Sequence, residues 1–156
     1  MPAALSITIV RGVLVNIGMA IHFSYLLQGS FKIQPVIYPL TIFISAFSLA
    51  IAWYKDLPDR AGDAHFGYRT FPLLYAPKLA LYLGATFVMA AYGWCIFWSY
   101  KEAVYLLMYS LIALSIAFLL HLQSVRLNEQ KSVKRFYKLF WVFFFATYLS
   151  FLWVLY

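Results

Sequence analysis

Negative charge is nearly missing from this sequence: 156 residues contain five acidic side chains, and charged residues of both signs make up only 11%. Soluble domains carry roughly 25% charged and about 45–50% apolar residues. A chain that is 65% hydrophobic is therefore excluded from the soluble class and from the disordered one. Cysteine is down to one, Cys95, which rules out an internal disulfide and a disulfide scaffold and leaves the redox compartment open. Also missing are a Gly-rich phosphate loop, a Ser-His-Asp set and zinc-spaced Cys/His pairs. No internal repeat or low-complexity tract stands out beyond the apolar runs.

What is there is apolar length. Five runs cover about Ala4 to Leu27, Pro35 to Tyr54, Leu79 to Ser99, Ala103 to Leu122 and Leu139 to Tyr156, each near the roughly 20 residues that cross a hydrocarbon core. Backbone polar groups in lipid must be satisfied within the segment, so the expected fold is all-α: a single polytopic helical membrane domain over 1–156. The first run reads as a span rather than a cleaved signal peptide, because it lacks a basic n-region and a small-x-small site and is too long.

The basic residues are sorted by loop. Lys55, Arg60, Arg69, Lys78, Arg126, Lys131, Lys134, Arg135 and Lys138 follow the second and fourth runs, against Lys32 and Lys101 on the opposite side. By the positive-inside rule the two long loops face the cytoplasm or its equivalent. The net charge of +7 is then a topology signal, and nucleic acid is not an expected partner; membrane lipid is. Trp53, Tyr54, Tyr137 and Trp141 near one boundary and Trp98, Tyr100, Trp153 and Tyr156 near the other fit interfacial aromatic belts.

Three of the five acids fall within nine residues, Lys55-Asp-Leu-Pro-Asp-Arg-Ala-Gly-Asp63. Pro58 suits the first turn of a helix, which makes Asp59 and Asp63 neighbours one turn apart. Asp56 joins that face if the helix extends back past Leu57, a geometry the following proline disfavours. Carboxylates one turn apart repel unless a cation lies between them. Mg²⁺ takes one or two carboxylates and fills its remaining sites with water and substrate phosphates, which Lys55, Arg60, Arg69 and Lys78 are placed to contact. The plainer reading is a charged loop required by topology. His65 reads as a solvated loop histidine, since no further ligands accompany it.

The segment Lys55-Asp-Leu-Pro-Asp-Arg-Ala-Gly-Asp-Ala-His-Phe-Gly-Tyr-Arg-Thr70 resembles the second aspartate-rich motif of the UbiA superfamily of intramembrane prenyltransferases. It is most similar to the homogentisate branch, whose pattern reads approximately KDxPDxxGDxxFGxRT. Val10-Arg-Gly-Val-Leu-Val-Asn16 with His22, and Phe136-Tyr-Lys-Leu-Phe-Trp141 with Tyr148-Leu149, resemble flanking segments of the same branch. The likeness covers nearly all of this chain but only the C-terminal half of the family's nine-helix protein. The family's first motif, NxxxDxxxD, is absent. In the last run Val142 and Thr147 stand where the branch usually carries a Lys and a Glu.

The resemblance implies Mg²⁺-dependent transfer of a phytyl or related prenyl group from an allylic diphosphate to an aromatic acceptor such as homogentisate, as in prenylquinone biosynthesis. Asp56, Asp59 and Asp63 would be metal ligands, with Asp59, Asp63 and Lys55 at the chemistry. Arg60 and Arg69 would contact substrate. Arg11 lies inside the first run, where charge is costly; with Asn16 it would help bind acceptor or diphosphate, a homogentisate carboxylate being a sensible partner, or else it snorkels to the interface. Arg11, Gly18 and His22 share a helical face on a regular repeat, with His22 expected as a packed histidine. A missing N-terminal half or a second copy is the implied partner, and a bacterial plasma membrane or a plastid membrane the implied location. The alternative is a truncated, non-catalytic bundle protein; a small transporter ranks below both, for want of an inverted repeat.

Overall fold

A computed structural model describes residues 2–155, with side chains from Leu5 onward. Tyr156, the last residue of the fifth apolar run, lies outside them. Among the described residues every regular element is helical, and five helical stretches are long and apolar enough to cross a membrane: Leu5–Gln28, Ile37–His65, Pro77–Lys101, Tyr105–Gln123 and Gln130–Leu155. The expected all-α membrane bundle is therefore the observed one.

The first crossing comprises α1 (Pro2–Thr8), a π-helical stretch (Ile9–Leu14) and α2 (Val15–Gln28). It stops at Gly29, whose φ of +63° is a left-handed conformation and whose N–H donates to the Tyr25 carbonyl at 2.9 Å. Glycine suits that position because it has no Cβ to clash. The second crossing is α3 (Ile37–Tyr54), which continues after one residue, Lys55, into α4 (Asp56–His65). After the short α5 (Phe71–Leu74) come α6 (Pro77–Lys101), α7 (Tyr105–Gln123) and α8 (Gln130–Ser150), the last ending in a 3₁₀ stretch, Phe151–Leu155.

The first crossing packs chiefly against α3, while α3, α6, α7 and α8 close around one core. That core is aromatic. Phe47 stacks on Phe140 at 5.0 Å and meets the edge of Tyr92 at 5.8 Å; Phe118, Phe136 and Phe144 surround them, all buried. Lipid is as apolar as these rings, so close packing and interhelical hydrogen bonds, not expulsion from water, hold the helices together. Cys95 belongs to this core: it is buried and its thiol donates to the Pro39 carbonyl at 3.4 Å.

Two glycines set helix separations. Gly12 lies directly on Ser45 of α3, where an added Cβ would meet the Ser45 Cα at 2.8 Å. Gly84 of α6 receives the ring of Tyr54, whose hydroxyl donates to the Leu81 carbonyl at 2.9 Å.

Thr147, which stands where the resembled branch usually carries a Glu, shares a buried 2.7 Å hydrogen bond with the Tyr92 hydroxyl. A neutral pair thus joins α6 to α8 where a charge would need a partner, and Val142 is exposed. Interhelical hydrogen bonds in membranes average about 0.6 kcal/mol, with a maximum of about 1.7. Tyr92→Phe should therefore cost stability in that range, and Thr147→Val more, because it leaves the buried phenol unpaired. Unfolding curves of the two single variants and the double variant would measure the coupling.

Candidate functional site

The acid-rich segment is helical throughout. Asp56 opens α4, and Pro58 sits in its first turn, where most backbone N–H groups have no intrahelical acceptor to lose. Lys55 is itself in the right-handed helical region, and its N–H donates to the Ile51 carbonyl at 3.0 Å. Proline therefore does not bar helical geometry at Leu57 here. Asp56, Asp59 and Asp63 follow at i, i+3 and i+7, one face of α4 over about 10 Å of axis.

Their surroundings differ. Asp56 is half-buried and accepts an ion pair from Lys55 at 3.0 Å. Asp59 is exposed and Asp63 half-buried; neither forms a salt bridge among the described residues, although Asp63 is near enough to Lys55 for its charge to act on the ammonium. Arg60 is committed to the scaffold: its guanidinium donates to the Leu57 carbonyl at 3.2 Å and to the Leu127 carbonyl at 2.8 Å, tying α4 to the segment before α8. Gln130 adds a 3.4 Å bond to the Pro58 carbonyl. Arg69, Lys78 and His65 are exposed, with His65 edge-on to Phe66.

Among the described residues no three His, Cys, Asp or Glu side chains converge on a common point as a complete cation site would require. Asp59 and Asp63 nevertheless suit Mg²⁺, which accepts one or two protein carboxylates and takes phosphate oxygens for the rest. Two unpaired carboxylates on adjacent turns form such a partial set.

The second polar group lies in the first crossing. The side-chain amide of Asn16 donates to the carbonyls of Arg11 at 3.0 Å and Gly12 at 2.7 Å, inside the π-helical stretch. The amide is thus occupied by its own helix, a use that sequence reasoning missed, although an Asn one turn after a buried Gly is a visible cue. The Arg11 guanidinium reaches across to α8, 5.7 Å from the Trp141 ring and 6.0 Å from Phe144. Arg11 is exposed and lies toward one end of the Leu5–Gln28 crossing, so it bears less than the about 2.5–3.5 kcal/mol that insertion scales give an arginine at a span's centre, and a cation–π contact contributes about 0.5–2. The rings offset part of that cost, and among the described residues no carboxylate supplies the remainder.

Arg11, Gly18 and His22 are all exposed, with nothing within 4 Å of where a Gly18 Cβ would lie, so His22 is not the packed histidine expected. No residue of α2 is buried, so their exposure is that of the whole helix. An open groove of about 510 Å³ runs along α2, lined by Val15, Asn16, Met19 and Phe23 and closed on one side by Tyr148 of α8.

The sequence profile of the UbiA prenyltransferase family matches residues 2–148. The chain is 32% identical over 155 residues to the homogentisate phytyltransferase of Synechocystis sp., covering 94% of this chain and 49% of that protein. It is 29% identical over 160 residues to the chloroplastic homogentisate phytyltransferase 1 of Arabidopsis thaliana, covering 94% and 39%. A 2-acylphloroglucinol 4-prenyltransferase of Humulus lupulus is 30% identical over 121 residues, 74% of this chain and 29% of that one. The chain thus spans half or less of the length of these relatives. No solved structure matches it.

Proposed function

The chain belongs to the UbiA prenyltransferase family, and from that premise we propose that it forms the acid-rich half of an enzyme moving a prenyl group from an allylic diphosphate to an aromatic acceptor of the homogentisate type. The observation that carries this reading is the pair Asp59 and Asp63, unpaired on one face of α4, together with relatives named for homogentisate.

In the proposed reaction the allylic C–O bond breaks and its electron pair leaves with the diphosphate. A ring carbon of the acceptor then forms the new C–C bond and loses its proton. Mg²⁺ held by Asp59 and Asp63, with Asp56 beside them, would neutralise the charge that develops on the leaving group. Lys55 and Arg69 are assigned to the diphosphate oxygens. Arg60, by fixing α4 against Leu127, would hold the acids in place. The apolar crossings would enclose the chain and keep water from the cation. The basic loops are assigned to the cytoplasmic or stromal side.

The test is reconstitution. Purified chain in lipid discs, given prenyl diphosphate, homogentisate and Mg²⁺, is expected to give no product alone. It should turn over when a membrane segment carrying NxxxDxxxD, such as the N-terminal half of the Synechocystis relative, is co-reconstituted. Turnover by the chain alone would refute the need for a second half. No turnover in any combination would favour the non-catalytic bundle.

A further inference from the structure

Eleven of the twelve basic residues flank the apolar runs or lie between them; Arg11 alone lies inside one. Its backbone is held from two sides. Asn16 binds the carbonyls of Arg11 and Gly12, and Gly12 is seated on Ser45 so closely that no Cβ fits between them. A π-turn fixed in this way orients the residue it carries, and here the guanidinium is sent across to Trp141 and Phe144. One turn further along each helix lie Val15 and Tyr148, which begin the lining of the apolar groove. The cation thus stands at one end of that groove, with aromatic faces beside it.

Position decides between the available anions. Gly12 is level with Ser45, and nine residues of α3 separate Ser45 from Tyr54, about 14 Å of helix axis. The acids of α4 begin beyond that point. Helical side chains lean toward their N-terminus, and α1–α2 runs antiparallel to α3, so Arg11 leans toward the acid-bearing end. Arg11 and the acids thus stand at separate levels of the bundle. A planar guanidinium recognises a carboxylate through two parallel hydrogen bonds, and flanking rings suit an aromatic body.

Resting on the prenyltransferase reading, we propose that Arg11, backed by Trp141 and Phe144, is the carboxylate anchor for a small aromatic acid acceptor, and that Asn16 is the residue that positions it. Asn16 does not itself touch the acceptor.

Equilibrium dialysis of the full chain in lipid discs against labelled homogentisate and its methyl ester tests this without requiring turnover. The wild-type chain should bind the acid saturably. Arg11→Gln should weaken acid binding at least tenfold and leave the ester unchanged. Asn16→Leu should shift the acid-to-ester ratio in the same direction while keeping the unfolding temperature, which a merely structural role would not do. Equal binding of acid and ester by the wild type, no measurable acid binding, or an unchanged ratio in Arg11→Gln would each overturn the proposal. So would Mg²⁺–pyrophosphate displacing the acid from wild type, with a competition that disappears in Arg11→Gln, because Arg11 would then serve the diphosphate. Failed reconstitution with Arg11-dependent acid binding intact would sink the prenyltransferase reading alone. Working reconstitution with an unaltered acid preference in Arg11→Gln would sink this inference alone.

Discussion

Asp59→Asn and Asp63→Asn should each reduce Mg²⁺-dependent prenyl transfer by about 10²-fold or more in the reconstituted two-half enzyme, the scale on which loss of one transition-state charge partner is felt. Asparagine keeps the size and one acceptor oxygen of aspartate but not its charge, and a hard cation binds chiefly through charge. The two acids are predicted to matter most because neither forms a salt bridge among the described residues. Asp56 supplies the internal comparison. Its carboxylate is half-buried and already paired with Lys55 at 3.0 Å, so Asp56→Asn should have the smaller effect, with part of it arising from release of Lys55. Product formation against Mg²⁺ concentration checks the assignment: for Asp59→Asn and Asp63→Asn the curve should move to higher Mg²⁺ as well as lower rate. Wild-type rates in both variants would remove these residues from the site.

The largest effect on stability is expected at Gly84, which packs against Tyr54, the last residue of α3 before Lys55. A Cβ at Gly84 would stand 2.6 Å from Cε1 of Tyr54 and 2.7 Å from its hydroxyl oxygen. That ring has nowhere to retreat: Tyr54 is fully buried and meets Phe136 at 5.0 Å and Phe140 at 4.8 Å, both edge-on. Gly84→Val should cost about 1–3 kcal/mol through overpacking, plus up to about 1.7 from disturbing the bond between Tyr54 and Leu81. At about 2–4 °C per kcal/mol for a chain of this size, the unfolding temperature should fall by about 2–19 °C. Gly93 is the control on the same helix. Nothing lies within 4 Å of its Cβ position, so Gly93→Ala should be neutral or gain up to about 1 kcal/mol of helix propensity. Equal losses in the two variants would show that α6 is insensitive to close approach at Tyr54.

The helix boundaries show where hydropathy stops being informative. The fifth apolar run begins at Leu139, yet α8 begins at Gln130. Hydropathy marks where lipid starts, while backbone hydrogen bonding carries the helix on into the headgroup region. The same holds at the acid cluster, read as a loop with a helical turn and found as α4, separated from α3 by the single residue Lys55. Within the site, the one-turn spacing of Asp59 and Asp63 was legible because it follows from sequence separation alone. The roles of Arg60 and Asn16 were not, since the Leu127 carbonyl that Arg60 binds lies 67 residues away, and a π-turn leaves no periodic signature.

Solvent, the number of crossings and the acid-bearing face are local properties: each depends on which residues are near one another along the chain, and 65% apolar composition with three clustered acids leaves little freedom in them. Which helices touch is a different kind of fact. In lipid every apolar face is equally content, so partner choice rests on shape: a glycine opposite Tyr54, another opposite Ser45, a phenol within reach of Thr147. Those complementarities join residues far apart in sequence, as does the placement of Arg11 against α8. They exist only once the chain has folded.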